Sequence, residues 1–140
     1  MSYILANILP ILVATMASFG FGTLYYIALR RAYARASGTP DTHRRPVSTY
    51  MVVFAAEFWL ACILAGALIL APPEASPWTM AIGSAVVIWV GFVMPATVVN
   101  TRLALRGWAL AAIDSGHWLG VMVIQAVVIM LIGLDAPDLN

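Results

Sequence analysis

The chain has 140 residues, of which 63% are hydrophobic and only 9% are charged, with a net charge of +1. Soluble domains are about 45–50% apolar and about 25% charged, and a short chain leaves much of its surface exposed. An aqueous fold is therefore excluded, and the surroundings must be largely lipid. The single cysteine, Cys62, excludes an intrachain disulfide. The two histidines, His43 and His117, offer no zinc or haem spacing, so we expect no cofactor and no metal.

Four predominantly apolar stretches are long enough to cross a bilayer, which takes about 20 residues. Backbone hydrogen bonds must be satisfied within the lipid, so each stretch predicts a helix. The predicted spans cover about 3–29, 50–71, 78–101 and 108–133. Short connections favour neighbouring helices of opposite direction. We therefore predict an all-α membrane protein, with a single integral membrane domain over residues 1–140 folded as an antiparallel four-helix bundle.

Small and aromatic residues share the second half of the first predicted span. Ser18 and Gly22 lie four positions apart and form a small-xxx-small face, which predicts close packing against another helix. Tyr25 and Tyr26 suit the aromatic belt at a membrane–water interface.

The arginines predict the orientation of the chain. All seven basic residues are arginines, five of them in the 30–49 loop and two in the 102–107 turn. The positive-inside rule predicts that both connections are cytoplasmic and that both termini face the periplasm or exterior. Arg30, Arg31 and Arg35 continue the first helix as a short basic extension. We expect this extension to contact anionic lipid, and we expect no nucleic-acid partner at this size.

Glu57 is an acidic residue within the second predicted span, roughly 10 Å along the helix axis from its start. A charge at the bilayer centre costs about 2.5–3.5 kcal/mol, so this carboxyl group must be protonated, paired or facing a wet cavity. The same helical rise per residue places Asp114 and His117 of the fourth span at depths similar to that of Glu57, and therefore within its reach. Two interpretations stay open: a functional acid, or a static Glu57–His117 pair that fixes the helix register.

The third predicted span carries a proline and a polar end. Pro95 removes one backbone hydrogen bond and predicts a kink that shapes the helix packing. Asn100 lies near the predicted cytoplasmic end. It belongs either to a polar head-group or ligand site there, or to a structural bond that caps the helix or joins it to the fourth.

The fourth predicted span contains "IDSGHWLG", residues 113–120, in its first half. At 100° per residue Asp114, His117 and Gln125 form one polar stripe. Gly116 and Gly120 form a GxxxG pair, which predicts the close approach of another helix. The stripe is interpreted either as a polar pocket or proton path, or as hydrogen bonding between helices.

Two segments carry a family resemblance. "FGTLYYIALRRAY" ends the first span, and "GFVMPATVVNTRLALRGWALAAIDSGHWLGVMVIQAVVI" combines Pro95, Asn100, Gly116 and His117 at fixed spacing. This pattern resembles the small bacterial four-helix membrane family catalogued as domain of unknown function 1761. The resemblance implies four spans and a bacterial inner membrane, and it implies no reaction or substrate.

No nucleophile elbow, HExxH or Walker pattern is present, so we expect no enzyme activity. The leading hypothesis is a small accessory or ligand- and lipid-binding module, whose interior polar cluster binds a small polar or lipid-like ligand or a partner helix. The cluster comprises Glu57, Asn100, Asp114, His117 and Gln125. The alternative is a proton-coupled small transporter or channel that uses Glu57 and His117 as relay groups. Expected partners are membrane lipids and either a second copy of the chain or another membrane protein.

Overall fold

The computed structural model describes residues 2–39, 45–72 and 76–135, and within these ranges it contains helices and no strand. The helices are α1 (Ser2–Ala6), α2 (Ile8–Ala28), α3 (Arg30–Ser37), α4 (Val47–Ile69), α5 (Pro77–Ile88), a π-helical turn (Trp89–Val93), α6 (Met94–Leu103) and α7 (Trp108–Ile132). His43, Arg44 and residues 136–140 lie outside the described residues.

Four segments are long and apolar enough to cross a membrane. They are the first span Ile8–Ala28, the second Val47–Ile69, the third Pro77–Leu103 and the fourth Trp108–Ile132. The basic extension predicted after the first span is α3, which a break at Leu29 separates from α2.

A break at Asn7 divides the N-terminal helix into α1 and α2. Pro10 causes this break. It has no N–H to donate, and in a continuous helix its ring would clash with the carbonyl oxygen of Ala6, four residues earlier. The Asn7 side chain holds the break, since its Nδ2 donates to the carbonyl oxygens of Tyr3 (2.9 Å) and Asp135 (2.8 Å). The Asp135 N–H donates back to Asn7 Oδ1 at 2.7 Å. Asn7 thus ties the start of the first span to the segment that follows the fourth.

The disturbance predicted at Pro95 takes the form of a π-helical turn directly before it. The Met94 N–H bonds to the Trp89 carbonyl five residues back. Because Pro95 has no N–H, the α-helical ladder is interrupted here, and the wider turn absorbs the interruption. Trp89 donates from Nε1 to the carbonyl oxygen of Ser115 in the fourth span, at 2.8 Å. The π turn therefore lies at the contact between the third and fourth spans.

The fourth span is the central helix, since it packs against each of the other three and is the most buried of the four. The spans differ in the share of buried residues within the most apolar window of each. This share is 39% in the fourth span and only 6% in the third, so the third span is peripheral. The apolar core consists largely of small residues, which let helices approach closely in lipid. Its members are Ile11, Ala14, Ala61, Cys62, Ala65 and Ile129, with a second group of Leu64, Ala81, Ala85, Met122 and Ala126.

Both apolar groups lie in one half of the bundle. They occupy the half nearer Asn7 and Asp135, away from the arginine-bearing connections. The polar residues described next begin beside these groups, at Gln125, and continue toward the arginine-bearing connections.

Candidate functional site

Glu57 is fully buried, at 0% exposure, where the first, second and fourth spans meet. Its Oε2 lies 2.7 Å from the hydroxyl oxygen of Ser18. Gln125 donates from Nε2 to Ser18 Oγ and to the main-chain oxygen of Glu57, both at 3.0 Å. We call Ser18, Glu57 and Gln125 the carboxyl cluster. It connects three spans through side chains that are each buried.

The hydrogen-bond geometry of the carboxyl cluster fits a neutral acid. Ser18 Oγ lies 3.0 Å from the carbonyl oxygen of Thr15 as well as near Glu57. One hydroxyl proton serves only one of these acceptors. With Glu57 protonated, its O–H donates to Ser18 Oγ and Ser18 donates to Thr15, so both contacts are satisfied. A neutral carboxyl group is also the form that a lipid-embedded site favours when no cation pairs with it.

Glu57 and His117 face the same surface of the first span, at Gly22. A methyl group added to Gly22 would lie 2.6 Å from His117 Nε2 and 3.6 Å from Glu57 Oε1, so these two atoms are no more than about 6 Å apart. They do not bond to each other, since Glu57 Oε1 has no hydrogen-bond partner among the described residues. His117 Nδ1 and Gln125 Oε1 are likewise buried and unpartnered there. Gly22 therefore provides the room in which the acid and the imidazole come together.

Aromatic rings from the first span surround His117, which is 4% exposed. The imidazole centroid lies 4.8 Å from the ring of Tyr26, 5.8 Å from Tyr25 and 6.5 Å from Phe21. Tyr26 donates its hydroxyl to Asp114 Oδ1 at 2.9 Å. We call this the imidazole site. The described residues contain no group of three His, Cys, Asp or Glu side chains placed to hold a metal ion.

The imidazole site continues toward the arginine-bearing end of the bundle. The rings of Tyr26 and Tyr33 lie 5.3 Å apart, edge to face. Arg45 donates from its guanidinium to the Tyr33 hydroxyl at 3.0 Å, a hydrogen bond that raises the pKa of Arg45. A line of polar groups thus runs from Arg45 through two tyrosines to Asp114 and His117.

Most of the residues singled out in the sequence meet in these two sites. The structure brings together Ser18, Gly22, Glu57, Asp114, His117 and Gln125. It does not bring Asn100 to them, because that side chain is exposed on α6 while its neighbour Thr101 takes the buried position. Pro95 is also exposed. Its side chain therefore does not take part in the packing between helices, where the sequence predicted a role for it.

The two glycines of the fourth span receive aromatic side chains where close helix approach was expected. A methyl group at Gly116 would lie 2.9 Å from the Tyr25 hydroxyl, and one at Gly120 would overlap the ring of Phe21. Sequence reasoning missed the rings of Phe21, Tyr25 and Tyr26 as parts of the site. The signal for the two tyrosines was helical spacing, since residues 18, 22, 25 and 26 share one face of a helix.

The basic extension α3 presents exposed arginines at the same end of the bundle. Arg30, Arg31 and Arg35 are all exposed, and Arg35 donates from Nε to the carbonyl oxygen of Arg31 at 3.2 Å.

The four apolar helices and the polar interior define an α-helical membrane protein with a buried acid–imidazole site. The family model described as "Protein of unknown function (DUF1761)" matches residues 9–130, and the chain belongs to this family. The matched range includes both the carboxyl cluster and the imidazole site. No curated protein and no solved structure matches the chain.

Proposed function

We propose that the protein is a non-enzymatic membrane module that binds a small polar ligand, or the polar group of a lipid-like molecule, between the carboxyl cluster and the imidazole site. The observation that carries the proposal is the pair of Glu57 and His117 at Gly22, close together and not bonded to each other. A separation of up to about 6 Å fits two hydrogen bonds of about 2.8–3.0 Å through one bridging group. A hydroxyl or amine group has the donors and acceptors that this bridge needs.

Access from one end supports binding over passage through the membrane. The polar line from Arg45 to His117 leads inward from the arginine-bearing end, and the apolar core groups close the other half of the interior. We assign the arginine-bearing end to the cytoplasm by the positive-inside rule. Both termini then lie outside, in an antiparallel four-helix bundle of a bacterial inner membrane. In this orientation the ligand enters from the cytoplasmic side.

Native mass spectrometry of the detergent-purified protein tests the binding proposal. We expect a co-purifying or added small alcohol or amine to give a mass adduct on the wild type. His117→Ala and Glu57→Ala should lose this adduct while remaining folded, as a cooperative thermal unfolding transition would show. Asp135→Ala is the matched control, because it removes an acidic side chain in the same way at an exposed position whose bonds to Asn7 use only the main chain. Equal adducts on all four proteins, or none on any, would contradict the proposal.

A proton-coupled transporter is the second candidate, and the order of the polar groups favours it. Glu57, His117, Tyr26 and Asp114 follow one another toward the arginine-bearing end, as a proton relay requires. In proteoliposomes this candidate predicts solute flux driven by a pH gradient. Glu57→Gln should abolish that flux and Asp135→Asn should retain it. Unchanged flux in Glu57→Gln, or no gradient-driven flux in the wild type, rules the candidate out.

We also propose that a second copy of the chain or another membrane protein pairs with the bundle. At the cytoplasmic surface, we propose that Arg30, Arg31 and Arg35 contact anionic headgroups. Each arginine near an anionic surface contributes about 1 kcal/mol. In bilayers of mixed lipid, the corresponding triple glutamine variant should be surrounded by less anionic lipid than the wild type is, as followed by fluorescence energy transfer to a labelled anionic lipid. Energy transfer equal to that of the wild type would exclude the lipid contact.

A further inference from the structure

A shallow groove of about 510 Å³ lies between the third and fourth spans. Its volume falls within the roughly 300–1,000 Å³ that is usual for small-molecule sites. Its walls are almost wholly apolar and include Trp89, Val98, Trp108, Ala112 and Leu119. The groove is separate from the carboxyl cluster and the imidazole site, which lie between the fourth span and the first and second.

The groove contains one buried hydroxyl group without a partner. Ser115 lines the groove, is 6% exposed, and its Oγ has no hydrogen-bond partner among the described residues. The carbonyl oxygen of Ser115 is already occupied by Trp89 Nε1 at 2.8 Å. An unpartnered hydroxyl costs free energy in lipid, so a ligand acceptor at this point would stabilise it.

One end of the groove carries a positive charge. Trp108 lies at the rim of the groove and is 66% exposed. The Arg102 guanidinium stacks over one face of its ring, with Cζ 5.0 Å from the ring centroid. Arg102 also donates to the carbonyl oxygen of Arg106 at 2.6 Å. The 102–107 connection contains two arginines and no acidic residue. The groove mouth therefore complements an anion, while its length complements a hydrocarbon chain.

We propose that this groove binds one anionic phospholipid, with its phosphate at Arg102, an ester carbonyl at the Ser115 hydroxyl and an acyl chain along the apolar walls. Ser115 lies seven residues beyond Trp108, roughly 10 Å along the helix axis. A phospholipid presents its groups in this order, with the phosphate outermost, the esters deeper and the chains beyond them. An apolar helix of another protein would offer the Ser115 hydroxyl no acceptor and the Arg102 guanidinium no anion. This site is independent of the proposed polar-ligand site and stands or falls separately.

Native mass spectrometry of delipidated protein, titrated with phosphatidylglycerol or phosphatidylcholine of identical chains, tests the groove. We expect one phosphatidylglycerol to bind in preference to phosphatidylcholine. Arg102→Gln should weaken its binding about fivefold, from roughly 1 kcal/mol per arginine at 1.4 kcal/mol per tenfold. Ser115→Ala should weaken it about threefold, from the roughly 0.6 kcal/mol of a hydrogen bond in a membrane protein. Ala112→Phe, at an exposed position that lines the groove, should abolish it.

Arg106→Gln is the matched control, because its guanidinium lies beside Gly38, 3.0 Å from where a methyl group there would be, and not against Trp108. It makes the same charge change in the same connection and should bind phosphatidylglycerol as the wild type does. Glycerophosphoglycerol, which has the headgroup without chains, should not compete. Equal binding of the two lipids overturns the proposal. Equal losses in both arginine variants, retained binding in a folded Ala112→Phe, or full competition by the headgroup alone would each overturn it as well.

Discussion

The fourth span presents two faces that differ in how their polar groups are satisfied. Toward the first and second spans, Gln125 bonds to Ser18 and Glu57, and His117 lies among aromatic rings. Toward the third span, one Trp89 N–H bonds to a main-chain oxygen, and the buried Ser115 hydroxyl beside the groove has no partner among the described residues. The first face is thus joined by several hydrogen bonds between spans, although three of its buried polar atoms have no partner there, whereas the second face is joined by one such bond within the described residues.

The difference follows from what holds helices together in a bilayer. Lipid tails are as apolar as leucine, so apolar burial drives helix association weakly, and close packing with hydrogen bonds must supply the stability. The first face has both. The second face packs against the third span, which is peripheral, since only 6% of its most apolar window is buried. Substitutions should therefore affect stability strongly on the first face and weakly on the second.

Gly22→Ala is the substitution with the largest expected effect on this comparison. The added methyl group would overlap His117 Nε2, and such overpacking costs typically 1–3 kcal/mol. We expect a loss of that size in the free energy of unfolding, measured by titration with a denaturing detergent. Gly20→Ala is the control on the same helix, since no atom of the described residues lies within 4 Å of the new methyl group. If both variants lose the same stability, the space at Gly22 does not hold the first face together.

Gln125→Leu should have the next largest effect. It removes the donor to Ser18 and to the main chain of Glu57, and hydrogen bonds in membrane proteins average about 0.6 kcal/mol with a maximum near 1.7. We expect a loss of about 1–2 kcal/mol in the free energy of unfolding. A double-mutant cycle with Ser18→Ala should give a coupling of about 0.6 kcal/mol. Strict additivity would mean that the carboxyl cluster does not act as a unit.

Trp89→Phe tests the second face and should have a smaller effect. It keeps a ring beside the π-helical turn and removes only the N–H that reaches the Ser115 carbonyl. We expect a loss of about 0.6 kcal/mol in the same unfolding titration. A loss larger than that of Gln125→Leu would reverse the ranking of the two faces.

Sequence reasoning could predict the polar stripe because its physical basis is local. The spacing of Asp114, His117 and Gln125 fixes them on one side of a helix, whichever neighbours that helix has. The four apolar segments followed from length and hydropathy in the same way. The family assignment, carried in the sequence by the fixed spacing around Gly116 and His117, is confirmed by the match over residues 9–130.

The partners of each side chain could not be predicted, because they depend on how the helices rotate against one another. The interface prediction for Tyr25 and Tyr26 could not show that their hydroxyls bond to Ile113 and Asp114 of the fourth span. Gly120 admits a phenylalanine ring, which a GxxxG pattern does not specify. The π-helical turn was also not predicted, although Pro95 indicated an interruption at that point.

Asn100→Ala should have the smallest effect, and it tests whether the third span contributes to the polar interior. The sequence assigned Asn100 to the interior polar cluster, whereas its side chain is exposed on α6 and the buried position belongs to Thr101. Surface substitutions usually change stability by no more than about 0.5 kcal/mol, and we expect this variant to remain within that range. It should also retain the mass adduct that His117→Ala loses. A loss of the adduct at normal stability would place Asn100 in the ligand site, and the peripheral helix would then share the function of the central one.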